Sequence, residues 1–316
     1  MSAPERTSGV ALLAALASLA LCGQVGAPAR EQAVRLSASA QVVGGAFDYS
    51  VVLGDSLTSV AARTGVSVSA LARASSLAPT ARLTVGQTLR VENSHIVPAV
   101  TAGTLRDGIL INVPQRMLFQ LRGGAAVTGY PIAAGRPTWR TPIGEFEIDT
   151  RATDKPWIVP VSIQEEMRRE GKPVKTIVPP GPDNPLGRHW LGLSESSCGI
   201  HGTIAPSSIY SLRTHGCIRL HPDDVAKLYG STALGEPVHV VYEPLLLARL
   251  PDGRICLEAH PDAYARGMPT EAALAQFVVA NALVERVDWT RVREVLALRE
   301  GIALDVTQGG AGEICT

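Results

Sequence analysis

The chain predicts a multidomain, mainly-β protein: a small α+β unit of βααβ order precedes a β-sandwich-like body, and a hairpin followed by helices extends it. Three observations carry this. Its 316 residues exceed what one hydrophobic core usually organises. Short alternating or wholly apolar runs, separated by turn residues, dominate from Ile109. Between Phe47 and Asn93 the pattern runs from strand through two short helices and back to strand. The expected divisions are 1–29 (an N-terminal apolar segment), 47–93 (the small unit), 105–243 (the main body) and 244–316 (the extension).

In chain order, Arg6 precedes an apolar stretch from Val10 to Cys22 and small residues from Gly23 to Ala29. That is the layout of a secretory signal or an uncleaved anchor, and the run is short for a membrane span. Leu19-Ala20-Leu21-Cys22 is similar to a lipoprotein box, with Leu21 large where a small residue is usual. Glu31 to Ala46 reads as a linker. Tyr49 to Val52 forms a strand, Asp55 closes a turn and can cap the helix of Val60 and Ala61, and Val66, Leu71 and Leu77 supply a second helix. Gly86 to Val91 closes the unit with a turn and strand.

Ile109–Val113 and Met117–Leu121 read as strands flanking a turn at Pro114-Gln115, followed by strands at Ala126–Ile132 and Val238–Tyr242. Ile163–Glu170 reads as an inserted helix, and Pro222–Tyr229 as a helix started by Pro222 with Asp223 and Asp224 in its first turn. Leu246–Leu250 and Arg254–Glu258 form a hairpin about Pro251-Asp252-Gly253, followed by helices at Thr270–Leu283 and Trp289–Leu298. The glycine-rich tail after Glu300 reads as mobile, and the extension as a brace or a partner surface.

Formal net charge is zero, with no basic run, which excludes a nucleic-acid binder that works through its overall field. Chemistry concentrates in Ile200-His201-Gly202-Thr203 and Thr214-His215-Gly216-Cys217-Ile218-Arg219-Leu220. Thiol, imidazoles, glycines and guanidinium are the inventory of covalent acyl transfer through sulfur. A cysteine near pKa ~8.5 is only a few per cent thiolate at neutral pH, so a neighbouring cation or imidazole must raise that fraction. His201, His215 and Arg219 are the candidates, and local sequence does not choose between the two histidines. Backbone N–H groups of His215, Gly216 and Cys217 are candidate oxyanion donors, with Gly216 permitting close approach. Arg219 can bind a substrate carboxylate or pair with a core acid. Thr203 and Thr214 can hold the loop or contact substrate, and Trp190, like Trp157, can line the cleft or fill the core. His201, His215 and Cys217 could ligate zinc, but no His-Glu-x-x-His or Cys-x-x-Cys motif accompanies them.

These blocks and their separation resemble the YkuD-type L,D-transpeptidases of bacterial cell walls (the ErfK/YbiS/YcfS/YnhG group). Gly135 with Thr141-Pro142-Ile143-Gly144-Glu145-Phe146 resembles the family's TPxGxF hairpin, and Val178 to Gly187 its segment before the active site. The resemblance covers about Ile109 to Tyr242. It implies Cys217 as nucleophile, His201 as proton acceptor and donor, and His215 in support. Gly-Asp-Ser-Leu at 54–57 and Gly-Gln-Thr-Leu at 86–89 resemble the LysM domain, a binder of N-acetylglucosamine-containing glycans; the alternative is a spacer.

The resemblance implies an exported enzyme of the periplasm or cell envelope. Its partners are peptidoglycan stem peptides and glycan strands, with another stem peptide or a wall protein as acceptor. No cofactor, metal or nucleic acid is implied, and contact with a membrane comes only through the N-terminal segment. Resolution of the acyl-enzyme by water, or a non-catalytic wall-binding scaffold, are the alternative functions. Beyond Cys22, four cysteines remain: Cys198, Cys217, Cys256 and Cys315. Cys256 with Cys315 would staple the extension, although spacing does not dictate pairing, and a Cys198–Cys217 bond would switch the enzyme off.

Overall fold

The computed structural model describes residues 36–37, 41–99, 105–194 and 196–316. The expected signal, anchor and lipoprotein box lie outside the described residues. Among those described, no helix is long and apolar enough to cross a membrane.

The small unit pairs β1 (Ala46–Ser50) antiparallel with β2 (Thr88–Glu92) around α1 (Leu57–Thr64) and α2 (Val68–Ala74). Ser56 caps α1, accepting from the Ser59 N–H while the Ser59 side chain accepts from the Ser56 N–H. Gly65 ends α1 in the left-handed conformation at φ 75°, and Ser67 caps α2. Val51, Leu57, Val60, Leu71, Leu89 and Val91 fill the core between them.

The main body is one sheet built from β3 (Gly108–Asn112), β4 (Met117–Arg122), β5 (Ala125–Gly135), β6 (Gly144–Thr153), β7 (His189–Leu193), β8 (Gly199–His201), β9 (Leu212–Thr214), β10 (Ile218–Leu220) and β11 (Pro237–Val241). Their order is β9-β5-β10-β8-β7-β6-β11-β3-β4, and β4 also pairs with β5. The long β5 therefore closes the circuit, its first half on β4 and its last residues on β10 and β9. All five residues of β3 are buried, as an unbroken apolar run between paired neighbours requires. α3 (Val161–Arg169) stands out from this body with no buried residue. α4 (Pro222–Ser231) follows the β10 turn, started by Pro222 with Asp223 and Asp224 as expected, and buries Val225 and Leu228.

The extension forms β12 (Leu245–Arg249) against β13 (Ile255–Ala259), then α5 (Glu271–Ala280), α6 (Trp289–Leu298) and β14 (Leu304–Asp305), which pairs with β13. The expected mobile tail is thus corrected. Ile302, Ala303 and Val306 are buried, and Cys315 is bonded to Cys256. Gly301, at φ 75°, has no room for a Cβ, which would lie 2.5 Å from His260 Cε1, so this glycine serves close packing. The expected linker is corrected likewise: Leu36–Ser37 pairs in parallel with β12, and Val42–Val43 with His95–Ile96.

Small unit, body and extension meet on one buried carboxylate, Glu258. It accepts from the Ile96 N–H (2.6 Å) and the Gln115 amide (3.0 Å), and is bonded to His95 Nδ1 (2.9 Å) and His260 Nε2 (2.8 Å). His95 Nε2 reaches the Gly65 carbonyl at the end of α1 (2.9 Å), and Gln115 donates to the Ile96 carbonyl (2.8 Å). A buried carboxylate without such partners costs several kcal/mol. Burial by itself pushes Glu258 up, but the two imidazoles outweigh it and hold the pKa at about 2. Burial also pushes His260 below its ordinary value, only partly offset by Glu258.

Both shifts leave the unfolded chain binding more protons in acid: His260 below about pH 6.5, and Glu258 below about 4.3. Stability should therefore fall as pH drops from about 7, through His260 first and then through Glu258 between about 4.3 and 2. Thermal unfolding from pH 7 to about 2 checks this, with Glu258→Gln expected to lower Tm at neutral pH and to remove the part of the fall that lies below about pH 4.3.

Candidate active site

Cys217 sits partly exposed in the turn between β9 and β10. Gly216 before it adopts φ 108°, a conformation side-chain-bearing residues rarely take. The Thr214 hydroxyl donates to the Cys217 carbonyl (2.6 Å) and accepts from the Gly216 N–H (3.1 Å). The Gly216 N–H is therefore spent within the loop. From the other side, the Thr141 hydroxyl donates to the Gly216 carbonyl (2.8 Å) and accepts from the Gly135 N–H (2.9 Å). Gly135 permits this approach, since a Cβ there would lie 2.1 Å from the Trp139 carbonyl oxygen.

The extension reaches this same point. The Tyr264 hydroxyl donates to the Gly135 carbonyl (2.7 Å) and accepts from the Thr141 N–H (3.0 Å). Tyr264 is buried and stacks on Tyr242, whose hydroxyl donates to Asp262 (2.6 Å) and accepts from the Tyr264 N–H (2.8 Å).

β8 lies parallel to β10, with Ile200 opposite Ile218 and His201 opposite Arg219. This register brings the buried His201 to the thiol, and its ring hydrogen-bonds Cys217. His201 Nδ1 lies 2.7 Å from the Gly202 carbonyl, which can only accept, so Nδ1 carries the proton and the neutral ring offers Nε2 as a base. Trp190 stacks on His201 (centroids 5.7 Å apart, 21° between planes) and is itself capped by Lys155 at 4.2 Å. Gly199 makes room for that indole, for a Cβ would lie 2.5 Å from it.

The Cys198 thiol also hydrogen-bonds the Cys217 sulfur. That bond, with the imidazole of His201 and the Gly199 backbone, holds the Cys217 thiol well below its ordinary pKa, against the upward pull of burial. Arg219 forms no ion pair among the described residues; its Nε is buried without a hydrogen-bond partner, and the Cys217 thiolate is the charge that favours its cationic form.

His215 faces away from this pair toward α3. Its Nε2 lies 2.5 Å from Glu166 Oε2, and Arg136 donates to Glu166 Oε1 (2.7 Å). Trp139 packs edge-on against the His215 ring at 5.0 Å. Arg136 and His215 hold Glu166 below the ordinary carboxylate range. With no buried residue of its own, α3 is tied to the Cys217 loop, among the described residues, by the Glu166 carboxylate.

The structure thus gathers Cys217, His201, Gly216, Thr214, Arg219 and Trp190 at one place. Thr203, also buried, uses its hydroxyl to accept from the Ala205 N–H (3.0 Å). Among the described residues, no group of three or more His, Cys, Asp or Glu side chains is placed to hold a metal. Sequence reasoning missed Tyr264, Glu166 and Arg136, which carry no local motif. Thr141 lies in the Thr141–Phe146 block, whose sequence alone assigns it no role. The Gly-x-x-x-x-x-Thr spacing from Gly135 was the available signal.

Residues 106–240 match the L,D-transpeptidase catalytic domain, YkuD, and residues 49–92 match the LysM domain. The chain is 31% identical over 239 residues to “Probable L,D-transpeptidase ErfK/SrfK” of Salmonella typhimurium, covering 72% of this chain and 74% of that protein. It is 30% identical over 177 residues to “Probable L,D-transpeptidase YbiS” of Escherichia coli, covering 55% and 56%. It thus spans little more than half of that second relative. The crystal structure of a mutant Enterococcus faecium L,D-transpeptidase is 20% identical, at TM-score 0.33, over 43% of this chain and 50% of that one. A LysM module and a cysteine-bearing β body are the two parts these regions define. The chain belongs to the L,D-transpeptidase family.

Removing the Tyr264 hydroxyl leaves a buried N–H and a buried carbonyl without that partner. Tyr264→Phe should therefore destabilise the protein by about 1–3 kcal/mol. Urea unfolding checks this, and slower alkylation of Cys217 is expected alongside.

Proposed function

We propose that this protein is an exported peptidoglycan L,D-transpeptidase in which Cys217 is the nucleophile and His201 moves the proton. One observation carries the reading: a thiol with its pKa held down lies in contact with an imidazole whose other nitrogen is tied to a carbonyl. The Cys217 sulfur attacks the carbonyl on the L-centre of the diamino acid at the third stem position, and its proton passes to His201. The amides of His215 and Cys217, flanking the engaged Gly216, stabilise the oxyanion. The tetrahedral intermediate collapses by breaking the C–N bond, His201 returns the proton to the departing amine of the terminal D-residue, and a thioester remains. An amine from another stem peptide or a wall protein attacks the thioester, gives its proton to His201 and releases the Cys217 thiolate.

Arg219 supplies the positive charge for a stem carboxylate, since among the described residues no acid pairs with it and its Nε has no hydrogen-bond partner. Thr214 and Trp190 hold the nucleophile and the base rather than the substrate. The 49–92 unit recruits glycan and raises the local concentration of stem peptides. The Cys256–Cys315 disulfide supports the reading that the protein folds in an oxidising compartment, with the 1–29 segment as the export signal.

The test is intact-mass and product analysis with a tetrapeptide muropeptide, beside Cys217→Ala and His201→Ala. A thioester adduct and a cross-linked dimer, both absent in the variants, are expected. Tripeptide alone would indicate hydrolysis, and unchanged substrate would leave a wall-binding scaffold. A carbapenem should add its mass to Cys217. Arg219→Ala should raise KM about tenfold or more with little change in kcat, the loss of one charge-assisted hydrogen bond; steady-state kinetics on the same muropeptide measures it.

A further inference from the structure

Cys198 does more than fill the core. It is buried and precedes β8, while the partly exposed Cys217 precedes β10. One step back along the parallel register of these strands, Gly199 faces Cys217, so the two cysteines lead into neighbouring strands one residue out of step. Their side chains are in hydrogen-bond contact, and the glycine between them puts no side chain in the way. The Cys198 main chain is held by its carbonyl, which accepts from the Leu193 N–H (3.1 Å), and by its N–H, which donates to Ser196 Oγ (3.0 Å). Access is asymmetric: a small oxidant reaches Cys217 first, and Cys198 waits behind it.

We propose that Cys198 is a resolving thiol for Cys217, converting an oxidised nucleophile into a reversible intramolecular disulfide. The inference rests on the reading of Cys217 as the reactive thiol. A hydroperoxide is the oxidant. The Cys217 thiolate attacks a peroxide oxygen, the O–O bond breaks, the sulfur becomes a sulfenic acid and the peroxide leaves as water once protonated. The Cys198 sulfur then attacks the sulfenic sulfur, the S–O bond breaks, and the departing oxygen leaves as water with the Cys198 proton. An external dithiol reverses the state by exchange, taking up the disulfide's oxidising equivalents and restoring both thiols. Without Cys198, the sulfenic acid is open to further peroxide and the irreversible sulfinic and sulfonic acids.

The full chain, exposed to a small excess of hydrogen peroxide, is followed by intact mass, peptide mapping and iodoacetamide labelling of Cys217. Loss of two hydrogens, a mapped Cys198–Cys217 peptide pair, lost labelling and full recovery with dithiothreitol are expected. Cys198→Ser and Cys198→Ala should instead gain two or three oxygens on Cys217 and not recover. Added oxygens on Cys217 in the unaltered protein, with Cys198 still available to alkylation after unfolding, would overturn the proposal. So would variants that recover as fully as the parent. None of these readouts uses transpeptidation. A Cys217→Ala protein that still cross-links muropeptides would sink the functional reading while leaving the disulfide result to stand.

Discussion

A single ionised carboxylate, buried where three parts of the chain converge, organises this molecule. Glu258 belongs to the extension, His95 and Ile96 to the segment leaving the small unit, and Gln115 to the first hairpin of the body. None of these groups could be buried in isolation, because each would forfeit its water without replacement. Together they specify one arrangement: the Gly65 carbonyl that ends α1 is accounted for only if the small unit sits where His95 can reach it. An apolar junction would have allowed sliding, whereas this one permits a single register.

The rigidity passes to the reactive loop by a chain of hydroxyls. Tyr242 meets Tyr264, Tyr264 meets Gly135 and Thr141, and Thr141 meets Gly216 beside the thiol. Each link ties main chain that a turn would otherwise leave to solvent. On the opposite flank, Glu166 ties α3 to His215, and Arg136 contacts both. The Cys217 thiol therefore sits between a fixed wall and a helix held by polar contacts, which break more readily in water than packed apolar ones.

The parts legible in the sequence were those whose chemistry is local. The turn with Gly216 and Cys217 and the turn after His201 are contiguous, and glycine, histidine and cysteine in those patterns have few other uses. The strand–helix–helix–strand unit was legible from its alternating periodicities, although Ser56 caps the first helix where Asp55 was expected to, and Asp55 instead accepts from the Tyr49 hydroxyl and the Val52 N–H. Glu166 and Tyr264 were not, because an acid on a polar helix and a tyrosine in a loop look like ordinary surface and core until the fold brings them to the site. The glycine-rich tail misled for a physical reason: Gly301 signals close approach to His260, and composition alone does not separate that from mobility. The polar, mostly exposed β6 carried no apolar run to announce a ten-residue strand.

The reach of Tyr264 separates two ideas of where a catalytic unit stops. The matched family region ends at residue 240 and contains every group proposed to touch substrate. A fragment cut there would keep the thiol and both imidazoles and lose the phenol that fixes the floor beneath them. The recognisable signature thus stops short of the residue that braces the Cys217 loop, and the extension and that loop form one mechanical unit.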